Sequence, residues 1–452
     1  MRLRKTITTI VATAILLAGW QLFAVIANQP ELIPSLPRLV RTLCEWLVSG
    51  SFYQSVGATI LRGVLGMSIS FVCAIGMAGL FARFEWVYEL FRPLLAIMRS
   101  IPVISFILLA LIFLNPESIP LMIAFLTMFP LLTENLTRGI LDLRPGLSIM
   151  ARQFHIRRSN VLFQIIYPQL KPFLYSGLAS AAGFGWRAII MGEVLSQCAF
   201  GIGSEMKRAQ NFIAVPELLA WKIVAVFISF FFDKGISKVA DITPKISFAN
   251  EDQTIPTPTL SVLDTKDISY QYGIQHFSHS FQKGIIYGIS APSGKGKTTL
   301  LNLIGGILLP TEGEIHPTRH FGIATIFQQP QLLPHLTAEE NIILPLSSFL
   351  TEEKARRIAQ KHLQEMEMEP FGNRYPKELS YGQQQRIAIA RALAYPSPLL
   401  LMDEPFKGLD EALSHRIIER IREKQMKEER IILFTSHNPD EIRLLADEVI
   451  YL

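Results

Sequence analysis

Three short segments of this chain carry residues that can handle a nucleoside triphosphate: APSGKGKTT at 291–299, LSYGQQQR at 379–386 and LLLMDEP at 399–405. In the first, small residues let the main-chain N–H groups of Ser293, Gly294, Lys295 and Gly296 close on phosphate oxygens. Lys297 then reaches the terminal phosphates, Thr298 can ligate magnesium, and Thr299 continues into the helix. The usual leading glycine is Ala291, so the loop is expected to bind phosphate if that position uses ordinary backbone angles. In LLLMDEP the four apolar residues read as a buried strand whose end places Asp403 beside the metal, while Glu404 orients and deprotonates the attacking water. In LSYGQQQR, Ser380 reads as the cap of a helix through Arg386, Ile389 and Ala394, so that its N–H groups near Gly382 and Gln383, with the Ser380 hydroxyl, are available to an anion.

These groups need a strand, a loop and a helix in that order, and an Ile-rich strand at 284–290 and LLNLIGGI at 300–307 flank the glycine loop accordingly. The rest of the chain is of another kind. Half of the residues are apolar and only 18% are charged, too apolar for a wholly soluble protein of 452 residues. Apolar runs at 7–27, 56–82, 94–114, 118–136, 173–195 and 218–232 predict about six membrane spans, the first read as a span rather than a cleaved signal. Arg2, Arg4, Lys5, Arg83, Arg92, Arg138, Arg144, Arg152, Arg157, Arg158, Lys171, Lys234 and Lys238 fall on one side, which is therefore expected to be cytoplasmic. The opposite loops hold Arg38, Arg41, Lys207 and Arg208. Arg187, Glu193 and Lys222 lie inside apolar runs; Arg187 and Glu193, six apart, cannot pair simply with each other, and snorkelling and a pathway role both stay open for these three residues.

Cys44, Cys73 and Cys198 are far apart and imply no disulfide or metal framework, and no basic stripe with interleaved aromatics points to nucleic acid. The longest basic loop contains IMARQFHIRRSNVLFQIIYPQLKP at 149–172, with Ile149, Ala151, Phe154, Ile156, Val161, Leu162, Ile165 and Ile166 at helical spacing. It predicts a short pair of surface helices halted at Pro168. Residues 241–259, with three prolines and no apolar periodicity, read as an extended linker.

In order and spacing the nucleotide motifs resemble those of ABC proteins over 260–452, with Tyr381 where that family normally has Gly. The resemblance implies further roles: Tyr272 stacking on adenine, Gln328 as a catalytic and metal-contacting residue, Asp410 in the GLD turn near the nucleotide, and His437 as γ-phosphate sensor. The 149–172 loop resembles the coupling loop of binding-protein-dependent importers in Ala151, Ile165 and Pro168, with His155 where that family has Gly and Ile149 where it has Glu. LIPSLPRLVRTLCEWLVSG at 32–50, LRGVLG at 61–66, RSIPVIS at 99–105 and FGWRAIIMGEVL at 184–195 resemble permeases of the nitrate/sulfonate/taurine group.

The resemblance thus implies a multidomain chain: an all-α permease domain of about six transmembrane helices at 1–240, a linker at 241–258, and an α/β ATPase domain of ABC type with a helical subdomain at 259–452. ATP and Mg2+ are its expected ligands. Its expected partners are a second copy of itself, an extracytoplasmic solute-binding protein, a small solute and membrane lipid, at a bacterial inner membrane. An exporter half-transporter and a mechanotransmission complex are the alternatives.

Overall fold

The computed structural model describes residues 2–240, 244–253, 260–271, 273–292, 294–317 and 322–452. The chain forms two compact units, one of Met1–Leu143 with Gln169–Thr243 and one of Arg144–Pro168 with Pro244–Leu452.

The first unit is helical. Gly50–Arg83, Pro116–Leu141 and Val215–Val239, with the helical run Arg158–Ser196, are long and apolar enough to cross a membrane. Small residues bring the helices together, as expected where packing rather than water drives association. A Cβ on Gly66 would lie 2.6 Å from Ala124 Cβ, and one on Gly185 would collide with Met128. The expected single span at 94–114 is instead two helices, Glu85–Ser100 and Val103–Phe113, bent by 94°. Pro102 is the cause: it supplies no N–H, and it holds Ile101 extended at φ −72° and ψ 129°. Among the described residues, with the bent pair counted as one span, up to five helical segments of the unit are long and apolar enough to cross, and the first predicted run contributes a shorter apolar helix, Val11–Ala27.

Among the charges inside the apolar runs, Arg187 and Lys222 are exposed, whereas Glu193 is 0% exposed. Its partner is Arg62 on another helix, whose guanidinium donates to Glu193 at 2.8 Å and to Glu117 at 2.6 Å. The Thr59 hydroxyl and the Gly203 amide, each at 2.9 Å, complete the shell of Glu193.

The second unit is α/β. Strands β1 (Val262–Tyr270), β2 (Ile274–Gln282) and β4 (Glu312–His316) form an antiparallel sheet in the order β2-β1-β4. Strands β3 (Ile286–Ser290), β5 (Ala324–Ile326), β6 (Leu399–Asp403), β7 (Ile431–Thr435) and β8 (Glu448–Tyr451) form a parallel sheet in the order β5-β6-β7-β3-β8. Strands β6 and β7 are buried at every residue, as a parallel sheet covered on both faces requires. Helices Ala338–Leu346, Glu352–Glu365 and Tyr381–Ala394 pack against one another in a helical subdomain.

Segment Arg144–Pro168 shares the core of this unit. Helix Pro145–Gln153 buries Leu147, Met150 and Ala151, and beyond it Phe154, Ile156 and Ile165 are buried too, while Leu162 of the predicted stripe is exposed. Phe154, 0% exposed, meets Tyr395 edge-on at 5.1 Å between ring centroids and lies 5.4 Å from the Arg391 guanidinium. His155 has φ +46° and closes the helix C-terminus through Ile156 N donating to Ala151 O, a left-handed cap that glycine adopts without strain. The expected stop at Pro168 is not found: Pro168 lies inside the continuous helical run Arg158–Ser196, just after the π-helical stretch Val161–Ile166, a local widening of the helix that accommodates the missing N–H. Residues 244–253, part of the expected linker, have neither helix nor strand, yet they are tied down: Asn160 donates to Ser247 O, Arg157 to Phe248 O, and Ala249 N to Ser347 O.

Breaking a buried ion pair from one side is costlier than removing both partners. Arg62→Met is therefore expected to destabilise the helical unit by about 3–5 kcal/mol, and Arg62→Met with Glu193→Leu by less. Thermal unfolding of the detergent-solubilised protein measures both, and equal losses would mean that Glu193 is satisfied without Arg62.

Candidate nucleotide site

The phosphate loop leaves the carboxyl end of β3 and enters helix Lys297–Ile304. Gly294 and Gly296 have φ +82° and +92°, and a Cβ on Gly296 would stand 2.6 Å from the Gly273 carbonyl oxygen, so both conformation and space demand glycine there. Ala291 is not among the positive-φ residues, which is why the missing leading glycine leaves the turn intact. The Lys297 ammonium donates to the Ala291 carbonyl at 2.8 Å, spanning the loop that it is expected to share with phosphate.

Strands β6 and β7 pair in register, Asp403 opposite Thr435, and that pairing assembles the acidic end of the site. Thr435 Oγ1 donates to Asp403 Oδ1 at 2.8 Å and accepts from Glu404 N at 3.0 Å, while Thr298 Oγ1 donates to Asp403 Oδ2 at 2.9 Å. Burial pushes the Asp403 carboxyl above the usual carboxylate range, opposed by the hydrogen bonds from Thr435 and Thr298. Adjacent hydroxyl and carboxylate oxygens are hard donors that suit magnesium, an ion that keeps several waters and takes few protein ligands. Thr298 and Asp403 thus fit such an ion; the Gln328 amide nitrogen is turned towards Glu404.

Glu404 has φ +48°, a strained conformation for a non-glycine residue that turns its side chain out of the strand direction. Three groups hold its carboxylate: Gln328 Nε2 at 3.1 Å, His437 Nε2 at 3.2 Å and Lys407 Nζ at 3.1 Å. Partial burial raises its pKa, but hydrogen bonds from Lys407 and Gln328 and the nearby charges outweigh that, and the group stays below the ordinary range and ionised. The three sequence-predicted catalytic residues, Glu404, Gln328 and His437, are therefore together. Lys407 and Thr435 escaped the sequence reading; only the strand register and the turn after Glu404 reveal them.

Ser380 caps helix Tyr381–Ala394 in a reciprocal pair with Gln383, as the sequence predicts, and Gly382 packs backbone to backbone on Gly408. Asp410 caps the next helix by accepting from Leu413 N at 2.9 Å. Lys295 and Thr299 lie on the phosphate loop and its helix, whereas Tyr272 and Ser293 lie outside the described residues.

A family model described as "ABC transporter" matches residues 274–407, and one described as "Binding-protein-dependent transport system inner membrane component" matches residues 68–233. A thiamine import ATP-binding protein of Yersinia pseudotuberculosis is 34% identical over 205 residues, 42% of this chain and 86% of that protein. An uncharacterized ABC transporter ATP-binding protein of Methanocaldococcus jannaschii is 34% identical over 201 residues, 40% of this chain and 85% of that protein. An Fe(3+) ions import ATP-binding protein of Rhizobium etli is 35% identical over 189 residues, 40% of this chain and 54% of that protein. The chain spans about half the length of the iron and glucose import ATP-binding proteins that it matches. With a permease-type match and an ATPase match in succession on one polypeptide, the chain belongs to the ABC transporter family.

Proposed function

We propose that the chain is one half of an ATP-driven solute importer, with permease and ATPase fused, working as a pair of identical chains in a bacterial inner membrane with the ATPase in the cytoplasm. The observation that carries the importer reading is the burial of Phe154 and Gln153 in the α/β unit, on a loop that resembles an importer coupling loop. Gln153 Nε2 donates at 2.7 Å to the carbonyl of Gly305, the residue that ends the phosphate-loop helix, and the main-chain carbonyl of Gln153 accepts from Ile323 N. A shift of that helix on nucleotide binding would thereby be felt directly by the loop. Exporter and mechanotransmission readings lack a comparable support.

In this reading the phosphate-loop amides and Lys297 bind the triphosphate, and a magnesium ion near Thr298, Asp403 and Gln328 supplies charge neutralisation when bound. Gln328, His437 and Lys407 orient the ionised Glu404, which takes the proton from water as it attacks. Ser380, Gly382 and Gln383 would meet the nucleotide held by the second copy. An extracytoplasmic binding protein would deliver the solute. The permease segments at 32–50, 61–66, 99–105 and 184–195 support a small anion of the nitrate, sulfonate or taurine kind, or a vitamin-precursor pyrimidine. A thermal-shift screen of the binding protein would identify it.

Glu404→Gln is expected to retain ATP and lose turnover by about 100-fold or more, whereas Lys297→Ala is expected to weaken ATP binding itself by roughly tenfold. Nucleotide binding and phosphate release on the purified protein check both; hydrolysis at the wild-type rate in Glu404→Gln would remove the general-base role. Ala291→Gly is expected to change ATP affinity by less than about 1 kcal/mol, and a large gain would show a strained loop.

The coupling role is checked by uptake into proteoliposomes with the solute so identified. Phe154→Asp, which buries an unpaired charge, is expected to abolish uptake, and Gln153→Ala to lower solute moved per ATP hydrolysed while ATP affinity holds. Uptake at the wild-type level in Phe154→Asp would sink the coupling assignment.

A further inference from the structure

Tyr381 occupies the first turn of its helix where the ABC resemblance expects glycine, and its side chain is engaged. The phenol donates to the Gln328 carbonyl at 2.8 Å, across 53 residues of sequence. The ring lies against Gly408, so closely that a Cβ on that glycine would stand 2.7 Å from Tyr381 Cδ1, and Gly408 has φ +80°. Gly382 also rests on the Gly408 carbonyl, where a Cβ would be 2.5 Å away. Tyr381 therefore touches the two segments that supply partners to Glu404: Gln328 gives its amide at 3.1 Å, and Lys407, next to Gly408, gives its ammonium at 3.1 Å. A glycine could make neither contact.

We propose that Tyr381 is a positioning residue for hydrolysis: it clamps the Gln328 and Lys407–Gly408 segments of its own chain so that their side chains converge on Glu404. The clamp rests on the assignment of Glu404 as general base, and it adds a residue that acts on Glu404 through Gln328 and Lys407. The hydroxyl fixes the main chain of Gln328, and the ring fixes the turn that carries Lys407. The phosphate loop is not part of this contact set. Removing the clamp should thus slow the chemical step and leave nucleotide affinity alone.

Two variants separate the arms. Y381F keeps the ring and loses the hydrogen bond, and its kcat is expected to fall by about fivefold, the scale of one ordinary hydrogen bond. Y381G loses both arms and is expected to fall further, although glycine is the residue usual at this place. In both, KM for ATP is expected to stay within about twofold of wild type. A second measurement needs no catalysis: hydrogen exchange of the amides around Gln328 in the nucleotide-free full chain is expected to quicken in Y381F. Wild-type kcat in both variants, a loss confined to KM, or unchanged exchange around Gln328 overturns the clamp. A wild-type protein that hydrolyses no ATP would instead defeat the ATPase reading, and the exchange result would then decide alone whether Tyr381 holds Gln328.

Discussion

The hydroxyl of Thr435 sits between the ends of two neighbouring parallel strands, and the acidic half of the site hangs on it. It donates to Asp403 and accepts from the amide of Glu404, so the β6 to β7 register fixes two consecutive acids at once. A parallel sheet makes such a device possible, because all its strand ends emerge on one edge. The phosphate loop leaves the same edge from β3, the other neighbour of β7, and Thr298 reaches back to Asp403. A one-residue slip between β6 and β7 would turn both acids away together. The left-handed φ of Glu404 is then a local strain that the register over-determines, and it aims the carboxylate at Gln328, His437 and Lys407 instead of along the strand.

The same unit incorporates a loop that sequence order would assign elsewhere. Burying Phe154 and Ile156 in the α/β core makes segment Arg144–Pro168 part of that core. Arg391 shows how tightly it is enclosed: burial pulls the guanidinium down to about 10, and it is held by the face of Phe154 and the Gln331 carbonyl. Gly146 lies against Gln331 as well, close enough that a Cβ would meet its Oε1 at 2.6 Å. Gln331 is three positions after Gln328, so the docked loop lies one short stretch of backbone from a group that holds Glu404. Gln153 adds a second contact, to the carbonyl of Gly305 at the end of the phosphate-loop helix.

The helical unit follows a different physics. Where lipid surrounds a bundle, apolar burial gives no preference for one neighbour over another, and close contact of small residues decides the packing. Gly66 on Ala124 and Gly185 on Met128 are such contacts. The Arg62 ion pairs with Glu193 and Glu117 then specify which helices meet, because an unpaired charge in that position is far more costly than a misplaced methyl group.

The residues themselves determined much of this. Glycine and lysine spacing located the phosphate loop, four apolar residues ending in Asp403 and Glu404 located the strand, and Ser380 announced a capped helix, since each of these signals is local. Hydropathy placed the apolar runs but took 94–114 as one span, because it sums side chains and ignores what Pro102 does to the backbone. Tertiary structure alone decided the rest. Arg62 as partner of Glu193, Thr435 under Asp403, Lys407 on Glu404 and the Tyr381 bond to Gln328 join residues from 3 to 131 positions apart. Such pairings depend on strand register and helix contact, which one sequence does not display. His155 marks the border between the two: its place in the sequence looks like a departure, and only the left-handed turn at φ +46° explains why glycine is usual there.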